Sequence, residues 1–163
     1  MDARLRDLLA EFVRLLQKEF EEDLVSVVLY GSVARGTATK DSDVDLLVVC
    51  RNLPDHPWDR NSRIHAIEEE LQPKLEKVQE ETGWFPYLSI LMRTPEEAAQ
   101  TSRTYFDMVE EAVLLVDRDD FFQKVLDQIA ARMKELGSRK IVLDEGWYWD
   151  LKPDLTWGEV FEI

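Results

Sequence analysis

Two carboxylates one residue apart, Asp43 and Asp45, stand at the start of an apolar run, Val44-Asp45-Leu46-Leu47-Val48-Val49-Cys50. Alternate side chains of a strand share a face, so both acids point one way while Val44 and Leu46 point to the core. Two like charges at the mouth of an apolar strand are costly unless something compensates them. A divalent cation does so, and Mg²⁺ takes carboxylate oxygens together with substrate phosphate oxygens. A ten-residue spacer separates Asp43 from Gly31-Ser32, which ends an earlier apolar run, Leu24-Val25-Ser26-Val27-Val28-Leu29-Tyr30. Glycine lets the backbone approach a ligand closely, and the serine adds a hydroxyl. Phosphate recognition beside a metal-holding acid pair is the chemistry of phosphoryl or nucleotidyl transfer. Either piece alone is an ordinary turn or a solvated strand end; their order between two strands gives them meaning. Other phosphate loops are excluded, because no lysine follows the second glycine and Gly31 and Gly36 do not form G-x-G-x-x-G.

The surrounding elements must hold these groups. Leu5, Leu8, Leu9, Phe12, Leu15, Leu16 and Phe20 recur at three and four, which predicts a helix over 3–21. Strands are expected at 24–30 and 44–50, joined by a loop with at most one helical turn. A Pro-rich loop and a charged helix over 60–82 follow, with Pro73 kinking or dividing the helix. A third strand is expected at 85–92. Thr94-Pro95-Glu96-Glu97 reads as a capping box. A helix over 103–112, a short strand at Val113-Leu114-Leu115-Val116-Asp117 and a helix from Asp117–Asp119 to Gly137 complete the order. These predict an α/β (α+β) fold, a short mixed sheet flanked by helices. Residues 1–163 are expected to form a single domain, with the Trp-rich tail, 138–163, docked on it.

The chain has 163 residues, with 20 Lys+Arg against 34 Asp+Glu, a net charge of −14. Long-range repulsion of polyphosphate disfavours a long nucleic acid. A basic protein partner and a metal-bridged nucleotide remain allowed. No apolar run approaches the roughly 20 residues of a membrane span, and Met1–Phe12 reads as neither signal nor transit peptide. Cys50 is the only cysteine and His56 and His65 are the only histidines, so neither a disulfide nor a Cys/His zinc site is expected. A cytoplasmic location is expected.

The stretch Gly-Ser-Val-Ala-Arg-Gly-Thr-Ala-Thr-Lys-Asp-Ser-Asp-Val-Asp-Leu-Leu-Val-Val resembles the signature of the polymerase β-like nucleotidyltransferase superfamily, and most closely its minimal nucleotidyltransferase group. The likeness is specific over 29–49 and extends more loosely to 84–117 and the tail. It implies that Asp43 and Asp45 hold Mg²⁺ and act in catalysis. It also implies that Gly31 and Ser32 contact the phosphates, and that Arg35 and Lys40 offset triphosphate charge. ATP is the expected nucleotide and AMP the expected group. A hydroxyl is the expected acceptor, such as a tyrosine of a HEPN-type toxin partner; a homo-oligomer is compatible with it. One departure stands out. The superfamily carries a third carboxylate on a later strand, where this chain has Tyr87-Leu88-Ser89-Ile90-Leu91 and Ser89 falls at the vacant position. Glu68, Glu69 or Asp107 could substitute, one metal could sustain slow transfer, or the chain could be a nucleotide-binding module that regulates a partner without turnover.

Trp147, Trp149 and Leu151 alternate, so they share one face of an extended segment. A nucleobase platform and a strap over the hydrophobic face are the two readings, and the strap is favoured.

Overall fold

The computed structural model describes residues 2–163. Helix α1 (Ala3–Phe20) buries all seven apolar residues of its stripe, and Asp2 caps it by accepting from Arg4 N. The chain then forms β1 (Leu24–Tyr30), the five-residue helix α2 (Gly31–Arg35) and β2 (Val44–Cys50). After these come α3 (Pro57–Thr82), β3 (Leu88–Arg93), α4 (Pro95–Ala98), α5 (Arg103–Glu111), β4 (Val113–Asp117) and α6 (Phe121–Glu135). A hairpin of β5 (Arg139–Leu143) and β6 (Gly146–Asp150) follows.

The main sheet has the order β3-β2-β1-β4. β1 runs antiparallel to β2 and β4, and β2 runs parallel to β3. The mixed sheet between helices is therefore as the sequence predicts. Alternation along β2 sorts the core. Val44, Leu46, Val48 and Cys50 join the apolar residues of α1 and α3 on one face. Leu47 and Val49 join those of α5 and α6 on the other. Asp45 belongs to this second face by the same period. Cys50 is fully buried, and burial pushes its thiol up to about 12, so it packs as a small hydrophobe.

Three boundaries differ from expectation. α3 starts at Pro57 rather than residue 60, because proline is well suited to the first helical turn. It also runs on through Pro73 as one helix. Pro73 and Glu69, whose carbonyl loses its helical donor, both lie on the exposed side, where water can satisfy that oxygen. β3 begins at Leu88, not at residue 85, since Pro86 has no N–H for the ladder.

The capping box forms as read: Thr94 accepts from Glu97 N at 3.2 Å and Glu97 from Thr94 N at 2.9 Å. Glu97 also pairs with the buried Arg60 at 2.7 and 2.9 Å. Asp117 accepts from Phe122 N and Gln123 N, both at 2.9 Å, and so caps α6. The hairpin was not expected: a two-residue turn, Asp144-Glu145, reverses the chain, with Gly146 at positive φ. Among the described residues no helix is long and apolar enough to cross a membrane.

Candidate active site

The C-terminal end of β1 and the N-terminal ends of β2 and β3 meet at one edge of the sheet. Asp45 lies between Tyr30 on β1 and Ser89 on β3 in the ladder. Tyr30 turns directly into Gly31, whose φ of +74° suits glycine. A Cβ at Gly31 would overlap Asp45 Oδ2, so only glycine lets the start of α2 lie against this carboxylate. Ser32 follows at the opening of α2, and its hydroxyl has no hydrogen-bond partner among the described residues. Asp43 sits exposed just ahead of β2.

Electrostatics at this spot are unfavourable as they stand. Burial, and then the neighbouring Asp43 charge, hold the Asp45 carboxyl above the usual carboxylate range. The Ser89 hydroxyl and Arg35 oppose that rise, and Glu111 adds to it. Burial beside Asp45 likewise pushes the Tyr30 phenol up. A half-buried carboxylate beside a second negative charge, with hard oxygen donors, fits a divalent cation such as Mg²⁺. No group of three His, Cys, Asp or Glu able to hold a metal occurs among the described residues. The protein thus offers two carboxylates, and a cation there would complete its shell with water and phosphate oxygens.

The other expected residues divide. Arg35 is near enough to favour the charged form of Asp45, yet its Nη1 donates to both Glu111 oxygens, at 2.7 and 2.9 Å. Lys40 is exposed in the loop before β2 and lies beside Gly83, in a groove shared with Thr39 and Trp84. Ser89 does stand in register with Asp45, where a third acid would be. Asp107 accepts the indole N–H groups of Trp147 and Trp149, at 2.8 and 2.9 Å. Glu68 lines a groove of about 550 Å³ along β3, which Ser89, Tyr87 and His65 also line. Glu69 is exposed beside His65. Sequence reasoning missed Glu111, a nearly buried acid at the end of α5. Its one signal was a charge placed directly before the apolar run of β4.

Residues 9–136 match the profile of the nucleotidyltransferase domain family. The chain belongs to that family. The resemblance carried by residues 29–49 is therefore borne out, and the chain is a nucleotidyltransferase. A relative from Methanocaldococcus jannaschii, named "Putative protein adenylyltransferase", is 30% identical over 149 residues, covering 90% of this chain and 94% of that protein. A second protein of that description from the same organism is 41% identical over 39 residues, 24% of this chain and 39% of its own. Among solved structures, spectinomycin adenyltransferase from Enterococcus faecialis, with ATP and spectinomycin, matches 80% of this nucleotidyltransferase and 66% of its own chain. The TM-score is 0.53 and the identity 12%, a likeness of fold.

Proposed function

We propose that this nucleotidyltransferase moves AMP from Mg²⁺-bound ATP onto a hydroxyl of a protein side chain in the cytoplasm. The observation that carries the reading is Asp45 packed against the Gly31 backbone with the charge of Asp43 beside it, an arrangement that a divalent cation carrying phosphate oxygens would stabilise. Asp43 and Asp45 would hold the cation; bound there, it would draw charge from the triphosphate and orient it. Gly31 gives the phosphates close access to the backbone, Ser32 donates its free hydroxyl, and Arg35 adds positive charge. Lys40 is assigned to the phosphate tail on the resemblance alone. The acceptor oxygen forms a bond to the α-phosphorus, the bond to the β-phosphate's bridging oxygen breaks, and pyrophosphate leaves. The acceptor proton passes to water, because Ser89 cannot serve as a base at neutral pH.

A protein acceptor is supported by the name of the relative that covers 90% of this chain, and a HEPN-type toxin tyrosine is the acceptor the sequence resemblance implies. The acidic net charge of −14 favours a basic partner. A second reading has one observation behind it: serine in register with Asp45 supports a module that binds nucleotide and regulates its partner without turnover.

The test is label transfer from α-labelled ATP and Mg²⁺ to a purified HEPN-type partner, with wild type and Asp43→Asn. Labelled partner from wild type, reduced about a hundredfold or more in the variant, is expected. Equal labelling by both would overturn the assignment. Mg²⁺-dependent binding without labelling would favour the regulatory reading.

A further inference from the structure

Arg35 is held from two sides. Glu111, whose side chain is only 7% exposed, receives Nη1 on both oxygens. The guanidinium also lies over the Trp147 ring, 4.7 Å from its centroid. That ring is itself fixed. Its Nε1 donates to Asp107 at 2.8 Å, Trp149 Nε1 donates to the same oxygen at 2.9 Å, and Lys140 Nζ lies 4.8 Å from the Trp147 centroid. Trp147, Trp149 and Lys140 belong to the β5–β6 hairpin, beyond residues 9–136 that match the domain family. Nε and Nη2 of Arg35 have no partner among the described residues.

We propose that Trp147 and Glu111 are positioning residues for nucleotide binding: together they fix Arg35 beside Asp45 so that its unused N–H groups meet a phosphate of the metal-bound triphosphate. This rests on the role given to Arg35 above. A free arginine side chain loses rotamer entropy when a ligand pins it. Fixing it before the ligand arrives removes that cost from binding. The hairpin thereby becomes part of the working site. The ring is already faced by two cations, which leaves it poorly placed to stack a nucleobase.

The test uses the whole chain and Mg²⁺ with AMP-PNP or inorganic tripolyphosphate, titrated calorimetrically, alongside KM and kcat for labelled transfer. The variants are Trp147→Ala, Trp147→Phe, Trp147→Leu, Arg35→Ala and Trp147→Ala with Arg35→Ala. Trp147→Ala is expected to raise Kd and KM about three- to tenfold, the worth of a cation–π contact, with kcat within about twofold. Trp147→Phe keeps the ring and should restore most of the affinity. The double variant should be no weaker than Arg35→Ala alone. Trp147→Leu keeps apolar bulk and should behave like alanine, which preserves the test should alanine unfold the hairpin. Unchanged affinity in Trp147→Ala and Trp147→Leu, or additive losses in the double variant, would overturn the proposal. A loss seen with AMP-PNP but not with tripolyphosphate would assign the ring to base stacking instead and overturn it too. Wild type that binds neither ligand would overturn the proposed function itself. Wild type that binds, with Arg35→Ala equal to it, would overturn only this inference.

Discussion

Gly31 and Asp45 touch so closely that each restricts the other. Gly31→Ala would drive a methyl group into the Asp45 carboxylate and place alanine at a positive φ. We expect loss of Mg²⁺-dependent nucleotide binding of about tenfold or more, read by titration calorimetry, while circular dichroism shows the fold intact. Asp45 itself is a destabilising group in the metal-free protein. Its folded-state carboxyl lies above its ordinary value, so the folded state holds the proton more tightly. Stability is therefore lost as pH rises through the carboxylate range and is not regained at neutrality. Asp45→Asn should raise the metal-free melting temperature at pH 7. It should also abolish any further rise on adding Mg²⁺ with ATP. Glu97 has the opposite sign. The Arg60 guanidinium holds its carboxyl down at about 2, so the pair contributes fully above the unfolded value of 4.5. That contribution fades as pH falls from 4.5 through about 2. Glu97→Gln should cost about 2 kcal/mol at pH 7, and an acid melting series should show a shallower decline below pH 4.5 than wild type.

At the scale of elements, the sequence carried the frame of the site because that frame is local. The apolar runs of β1 and β2 bracket a Gly-Ser turn and the start of an Asp-x-Asp, and the period of two places Asp45 opposite the core-facing Val44 and Leu46. The leucine stripe of α1 and the capping box at Thr94 were legible for the same reason. What could not be read depended on contacts distant in sequence. Arg35 and Glu111 are 76 residues apart, and nothing near either names the other. In the sequence Asp107 reads as a free acid able to complete the metal site, whereas two indole N–H groups from the hairpin occupy it. The start of α3 was misplaced because Pro57 and Pro54 together read as loop, although proline also opens helices. The hairpin was hidden because its turn, Asp144-Glu145, lacks the Asn-Gly or Asp-Gly pair that usually marks one.

For the molecule as a whole, the sheet separates two cores, and the tail lies with the one that backs the site. Trp149, Leu151 and Ile163 pack against the apolar residues of α5 and α6. We propose that this segment is integral to the domain. Deleting 139–163 should cost about 3 kcal/mol of apolar burial, a fall of roughly 6–12 °C in melting temperature. The same deletion removes Trp147 and so should weaken nucleotide binding; an unchanged melting curve would contradict the packing account.

We propose, above all, that the ends of β1 and β2 form a site for a metal-bound nucleotide. The most direct measurement is calorimetric titration of ATP into wild type and into the Asp43→Asn, Asp45→Asn double variant, each with Mg²⁺ and with EDTA. Wild type is expected to bind in Mg²⁺ but not in EDTA, and the double variant, whose melting curve shows it folded, in neither. Equal binding by both proteins, or binding by wild type that ignores EDTA, would contradict the proposal.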